Sequence, residues 1–364
     1  MELDFNKKRT LILSGILLGL MGALLAYFGN PKNMAICIAC FVRDIAGGMK
    51  MHQAEVVQYI RPEIAGMVLG SFAISLATGE YRSVAGSSPL IRFLLGVMMM
   101  IGALVFLGCP LRMVIRMSAG DLNAWVALAG FILGIFTGTL ALRRGFSLGR
   151  SYDTHRSNGY VLPGLLLFVL ALSLTVPGLF AWSEKGPGSM HAPVLISLAA
   201  GLGFGALSQK CRTCFAGSVR DVILMRNFDL LSTIGGFFAT MLVFNLVTGG
   251  FKLSFNGQPV AHAQHLWNLL GMYVVGLAAT LAGGCPLRQL VLAGQGSSDS
   301  AMTVLGMLVG AAACHNFGLA GAAMVMENGT VASVGGPAAA GKAAVLLCIL
   351  VLLMIGFFVK KEER

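Results

Sequence analysis

The chain has 364 residues, of which 56% are hydrophobic and only 11% are charged. A soluble globular domain carries about 25% charged residues, so the composition excludes an ordinary soluble protein and predicts a polytopic membrane protein. The net charge of +11 comes from Lys and Arg residues scattered between apolar runs. No basic face or nucleic-acid-binding motif accompanies them, so nucleic acid is excluded as a partner.

Ten apolar segments are long enough to span or nearly span a bilayer. In chain order they cover residues 10–28, 62–79, 90–107, 123–142, 161–181, 192–208, 231–248, 266–283, 300–320 and 342–359. Lys7, Lys8 and Arg9 precede the first segment. Because that segment is longer than a secretory signal core and no clear cleavage site follows, we expect an uncleaved first helix.

The sequence repeats itself at about half its length. Residues 37–44 (CIACFVRD) and 214–221 (CFAGSVRD) share Cys, Ala, Val, Arg and Asp without a gap. A second motif, Gly-Cys-Pro-Leu-Arg, occurs at 108–112 and again at 284–288. Five spans per half place the second half in the membrane in the opposite orientation. We therefore predict an all-α fold of two inverted five-helix repeats, 1–182 and 183–364.

Basic residues indicate the orientation in the membrane. Four arginines concentrate in the loop at 143–156, whereas the loops at 182–191, 249–265 and 321–341 carry only Lys185 and Lys252. By the positive-inside rule, this favours an inner (cytoplasmic) membrane protein with both termini in the cytoplasm. Arg61, in a predicted outer loop, is an exception.

Each cysteine motif lies between two apolar spans, in a stretch that is short and only partly apolar. We predict that these stretches are re-entrant half-helices, two per repeat, because broken backbone at membrane depth is tolerated where it lines a cavity. Cys37 and Cys109 would enter from outside, and Cys214 and Cys285 from inside. The half-helices would meet near the middle of the membrane.

The Gly-Cys-Pro-Leu-Arg motif combines a thiol with a positive charge. Its proline suits the first turn of a helix, which places Cys109 and Cys285 at helix N-termini. Free amides and the helix dipole favour an anion there. Arg112 and Arg288 lie within one turn, and we predict that they attract the anion. The alternative interpretation is a helix break with a buried cysteine and a snorkelling arginine.

The first motif ends in adjacent Arg and Asp residues, which are expensive at membrane depth unless they are paired. We therefore predict two structural ion pairs, Arg43–Asp44 and Arg220–Asp221. We predict that the functional residue of this motif is its first cysteine, which is Cys37 in one half and Cys214 in the other.

Two C-x-x-C pairs, Cys37/Cys40 and Cys211/Cys214, would also suit a zinc site or a redox dithiol. The repeat argues against both, because Cys37 matches Cys214 while Cys40 matches Gly217. The pairs do not superimpose, so we predict no metal and no cofactor.

Four further residues are predicted to have no functional role. Cys314 and Cys348 lie inside apolar runs and are predicted to be core residues. His262 and His265 fall in a predicted outer loop, where we expect them to be solvated.

On these motifs the chain resembles the YeeE/YedE, or sulphur-transport, family of membrane proteins. The motif sequence Gly-Cys-Pro-Leu-Arg is most similar to that of the YedE branch, which is associated with selenium metabolism. The resemblance implies a transporter in which thiols lining a narrow central path pass an ion along through S–H···S contacts. That role falls on Cys37, Cys109 and Cys285, with Cys214 as the repeat-mate. The chain departs from the family pattern by also carrying other nearby cysteines, Cys40 and Cys211.

These inferences predict a transporter, not an enzyme, for a small selenium- or sulfur-containing compound. One alternative is uptake of thiosulfate or sulfide. Another is a membrane thiol enzyme that transfers sulfur or selenium through a cysteine persulfide, and a third is a structural membrane subunit. The expected partners are the small solute, membrane lipid and a cytoplasmic sulfur or selenium carrier protein.

Overall fold

The structure is a computed structural model. It describes residues 5–328 and 330–359, with side chains from Lys8 onward. The predicted cytoplasmic tail at 360–364 and the side chain of Lys7 lie outside the described residues.

Helices dominate the described part of the chain. In chain order they are α1 (Phe5–Tyr27), α2 (Ile38–Gly48), α3 (Pro62–Ala77), α4 (Pro89–Phe106), α5 (Pro110–Ser118), α6 (Leu122–Arg143), α7 (Val161–Thr175), α8 (Val194–Lys210), α9 (Phe215–Met225), α10 (Asp229–Val247), α11 (His265–Leu281), α12 (Pro286–Gln295), α13 (Ser298–Asn316) and α14 (Ala339–Phe358). Helices α2, α5, α9 and α12 have only 9 to 11 residues.

Short antiparallel strand pairs tie the connecting loops together. They are β1 (Val84–Ala85) with β2 (Tyr152–Asp153), β3 (Gly321–Ala322) with β6 (Gly336–Pro337), and β4 (Val325–Glu327) with β5 (Thr330–Ser333). In the first pair Val84 lies opposite Asp153. The prediction of an all-α fold therefore holds apart from these loop ribbons.

All ten predicted spans fall on long helices. Within the described residues, nine helical stretches are long and apolar enough to cross a membrane. The segment predicted at 300–320 forms α13 but is not among them, because its first turns carry Asp299, Ser300 and Thr303. The chain is thus an all-α polytopic membrane protein, as the composition predicted.

The long helices pack in pairs, and the sequence repeat relates each pair to a second, equivalent pair. Helix α1 packs against α10, and α3 packs against α8. By chain order α8 is the repeat-mate of α1 and α10 is that of α3, so each pair is the image of the other. The same holds for α4 with α13 and α6 with α11. This exchange is the packing expected of two homologous units related by a two-fold axis.

Glycines allow the paired helices to touch through their backbones. A Cβ atom at Gly70 would collide with the carbonyl group of Leu202, and one at Gly205 with that of Met67. Both contacts lie in the α3–α8 pair. The small-residue spacing is therefore used for packing inside this chain.

The short helices lie inside this frame to different depths, and in α9 only the first turn, Phe215 to Ser218, is buried. Every residue of α2 and of α5 is buried. Helices α2 and α12 contact each other, as do α5 and α9. The short helices from the two halves are therefore neighbours.

Candidate functional site

Each short helix begins directly after a motif cysteine, Cys37, Cys109, Cys214 or Cys285. The sulfur of Cys37 accepts the N–H of Cys40 at 3.5 Å, and that of Cys214 accepts the N–H of Gly217 at 3.1 Å. Ten residues of helix rise about 15 Å, half of the roughly 30 Å hydrocarbon core. These lengths suit the predicted half-helices.

The motif cysteines form two pairs, one in each half of the chain. The Sγ atom of Cys37 lies 3.8 Å from the Sγ atom of Cys109. In the second half the side chains of Cys214 and Cys285 also interact, but there the cysteine of the Gly-Cys-Pro-Leu-Arg motif, Cys285, is the donor. All four cysteines are buried. The structure thus places two half-helix N-termini, each carrying a thiol, at one point in each half.

Backbone amides surround the later cysteine of each pair. The Cys109 thiol faces the N–H groups of Ala39 and Arg112. The Cys285 thiol faces the N–H group of Phe215 across the pair. First-turn amides have no partner within their own helix, so they are available to an anion, which the helix dipole also favours.

Arg112 is fully buried and holds two loops above the first thiol pair. Its Nε donates to the carbonyl of Asn33 at 2.8 Å and its Nη2 to that of Val260 at 3.0 Å. Its Nη1 donates to the carbonyl of Leu107 and lies 3.3 Å from the sulfur of Cys40. No carboxylate among the described residues pairs with it, so only carbonyl dipoles and thiols balance its charge.

Arg288 occupies the equivalent position beside the second thiol pair, where its charge acts on Cys214 and Cys285. It is half-buried, and its Nη1 lies 3.4 Å from the Oε1 of Gln209. In the part of the chain that the structure describes, it makes no salt bridge. The two arginines therefore differ: carbonyls enclose Arg112, whereas Arg288 keeps most of its donors available.

Three of the buried polar atoms that lack a partner in the described structure belong to residues close in the chain to the second pair. The hydroxyl oxygens of Ser208 and Thr213 and the Oε1 of Gln289 are buried and lack a hydrogen-bond partner in the described structure. Thr213 precedes Cys214, and Gln289 donates to the carbonyl of Gly284, next to Cys285. Because buried polar groups are nearly always hydrogen-bonded, these three atoms have hydrogen-bonding capacity to spare.

The ion pair of the first motif is part of a buried triad. The Nη2 of Arg43 lies 2.7 Å from the Oδ1 of Asp44, and Arg61 lies 2.8 Å from the Oδ2 of the same carboxylate. Arg61 also donates to the carbonyls of Pro187 and Met190. Sequence reasoning missed this role and treated Arg61 as an orientation signal. Its burial, not its side of the membrane, explains the exception.

The equivalent pair in the second half is more open. Arg220 lies 3.1 Å from Asp221, and their side chains are 33% and 16% exposed. A further fully buried pair, Arg116 with Asp121 at 2.7 Å, was not predicted. Its five-residue spacing across the end of α5 offered no distinctive motif.

The expectation of a solvated side chain is wrong for His262 and is confirmed for His265, which is exposed. His262 is fully buried, with its Nε2 2.8 Å from the carbonyl of Val105 and its Nδ1 accepting the N–H of Gln264. The loop between α10 and α11 folds back onto the end of α4, which encloses the ring. His265 is exposed, and its Nδ1 lies 2.8 Å from the Oδ1 of Asn123. Cys314, like Cys348, is buried, which confirms the predicted core positions.

The sequence model of the sulphur transport family matches residues 2–137 and 210–364. The chain belongs to the sulphur transport family. The two matched segments contain all four cysteine motifs, and the unmatched stretch contains α7 and most of α8. Membership makes the protein a membrane transporter for sulfur compounds. A comparison with curated proteins gave no match.

Proposed function

We propose that this transporter passes a small selenium- or sulfur-containing anion from the Cys37–Cys109 pair to the Cys214–Cys285 pair. The observation that carries the proposal is the duplicated arrangement itself, in which paired thiols, first-turn amides and one unpaired guanidinium meet at the same point in each half.

The geometry supports transfer by weak contacts. Each thiol can donate S–H to a sulfur, selenium or oxygen atom of the solute, and the first-turn amides and the charges of Arg112 and Arg288 stabilise its negative charge. No single contact is strong. Conduction needs binding that is favourable at several sites and weak at each, so this arrangement permits both entry and exit. The proposed path makes and breaks no covalent bond.

Arg112 gives the proposed path a closed entrance in this structure. It ties the carbonyls of Asn33 and Val260 together above the first thiol pair. We propose that an arriving anion replaces one of these carbonyls on the guanidinium. The solute would then reach Cys37 and Cys109 as the two loops separate.

The proposed preference for a selenium compound rests on the resemblance of the Gly-Cys-Pro-Leu-Arg motif to that of the selenium-associated branch. Placement in the cytoplasmic membrane with both termini inside rests on the basic loop at 143–156. In that orientation the half-buried Arg288 faces the cytoplasm, where a sulfur or selenium carrier protein would receive the solute.

The test is uptake of labelled selenite and labelled thiosulfate into cells that lack their own routes. We expect one label to accumulate with the wild-type chain and not with Cys109→Ala. Cys348→Ala is the matched control, because Cys348 is also buried but lies outside the pairs. Equal uptake by wild type and Cys109→Ala at equal membrane abundance would refute the thiol path. A covalent sulfur adduct by intact mass, without solute flux in vesicles, would favour the persulfide enzyme.

A further inference from the structure

A membrane-facing groove is open between the two halves of the chain. It lies between α5, α6, α9 and α10 and has a volume of about 270 Å³. Its walls are apolar and include Trp125, Leu128, Val219, Leu231 and Phe238. Since α5 and α9 begin at Cys109 and Cys214, the groove abuts two of the cysteine-bearing half-helices.

The repeat-equivalent place, on the other side of the repeat, is filled by a helix. There a cavity of only about 60 Å³ remains between α2, α3, α7 and α13. Val42 and Val304 line it, and they are the repeat-mates of Val219 and Leu128 in the open groove. Helix α7 occupies the space with an apolar stripe, Leu162, Leu165, Leu166 and Val169. The fold itself therefore shows what kind of element fits this groove.

The repeat-mate of α7 does not fill the open groove. By chain order that mate is α14, which packs against α4, α6 and α11. Its outer face carries Ala343, Leu346, Leu347 and Leu350, at the same spacing as the filling stripe of α7. The three leucines are 54%, 62% and 55% exposed. One chain thus presents an open groove and an unpaired stripe. Their repeat equivalents, the small cavity and the stripe of α7, pack together within the chain.

We infer that two copies of this chain associate in the membrane, each seating the Leu346–Leu347–Leu350 stripe of its α14 in the groove of the other. Helix α6 borders both surfaces, since it lines the groove and contacts α14. Both surfaces therefore border the same helix, and we infer a reciprocal two-fold contact in which each copy supplies one stripe and one groove. In lipid, helices associate through close packing, and a ridge of side chains fills a rigid groove between four helices.

Gly235 offers a way to block the groove. It lines the groove, and a Cβ placed there meets no atom within 4 Å, so Gly235→Phe introduces a bulky side chain at an unobstructed position in the groove. Gly164 on α7 is equally unobstructed but lies outside the groove, so Gly164→Phe is the matched control. The full chain is reconstituted in lipid bilayers, and subunits are counted by single-molecule photobleaching at decreasing protein-to-lipid ratios.

We expect wild type and Gly164→Phe to be dimeric, and Gly235→Phe to weaken association by about tenfold or more. A photoreactive amino acid in place of Leu347 should cross-link to the peptide containing Trp125 or Phe238 of another copy. A monomer at every ratio overturns the inference, as does a dimer that Gly235→Phe leaves unchanged. Cross-links from position 347 only to phospholipid or to a different membrane protein also overturn it, and they identify the occupant instead.

Discussion

The sulfur of Cys37 lies 3.8 Å from that of Cys109, although 72 residues separate them in the chain. A disulfide bond would bring the sulfurs to about 2.05 Å, so this is a contact between two free thiols. Each thiol belongs to the N-cap residue, which directly precedes the first residue of a half-helix. Two helix dipoles therefore point their positive ends at one place, which favours an anion there.

The second thiol pair should matter for uptake as much as the first. We expect Cys285→Ala to lower solute uptake by about tenfold, the effect of losing one hydrogen-bonding contact of about 1.4 kcal/mol. Cys314→Ala, another buried cysteine, should leave uptake unchanged. Both variants are compared with wild type in the labelled-uptake assay at matched membrane abundance. Normal uptake by Cys285→Ala would remove the second pair from the path.

Asp44 should be far more important for stability than its repeat-mate Asp221. Asp44→Asn leaves the buried guanidiniums of Arg43 and Arg61 without a counter-charge, which costs on the order of 3–5 kcal/mol. Asp221→Asn should cost about 1 kcal/mol or less, because the side chain of Arg220 is one-third exposed. Thermal unfolding of the two variants in the same detergent measures the difference. Equal losses would show that the buried triad has no special weight.

Arg112 should act through both its charge and its ties to the loops. Arg112→Met removes both, so we expect loss of uptake together with faster amide exchange in the loops around Asn33 and Val260. Arg112→Lys keeps the charge but cannot reach three carbonyls at once, so uptake should fall only partly. Hydrogen exchange followed by mass spectrometry reports on the loops. Full uptake by Arg112→Met would show that neither contribution is needed.

His262 should make the fold sensitive to acid. It lies in the loop between α10 and α11, and burial lowers its pKa from 6.5 to about 4. The unfolded chain therefore takes up this proton first as the pH falls. The stabilising contribution is complete above about pH 6.5 and is lost progressively towards pH 4, on the order of 3 kcal/mol in all.

Unfolding temperatures of wild type and His262→Gln between pH 7 and pH 4.5 test this expectation. His262→Gln should lose less stability on acidification than wild type. His155→Gln, which changes an exposed histidine, should follow the wild-type curve. Parallel curves for wild type and His262→Gln would show that His262 does not cause the acid sensitivity.

The sequence alone determined the membrane class, the positions of the ten long helices and the starting points of the two Gly-Cys-Pro half-helices. Each of these depends on local information: an apolar run long enough for lipid, or a proline that fixes the first turn of a helix. The two repeated motifs, at 37–44 with 214–221 and at 108–112 with 284–288, also identified four cysteines as a set. They did not indicate which of the cysteines would meet.

Only the tertiary structure decided the partners. It paired Cys37 with Cys109, gave Asp44 a second guanidinium from Arg61, and enclosed His262. It also made Arg112 and Arg288 unequal, although both close the same five-residue motif. A motif fixes which groups a segment carries and on which turn of a helix they stand. Burial and pairing depend on segments far away in the chain, and the two halves of this protein surround the same motif with different loops.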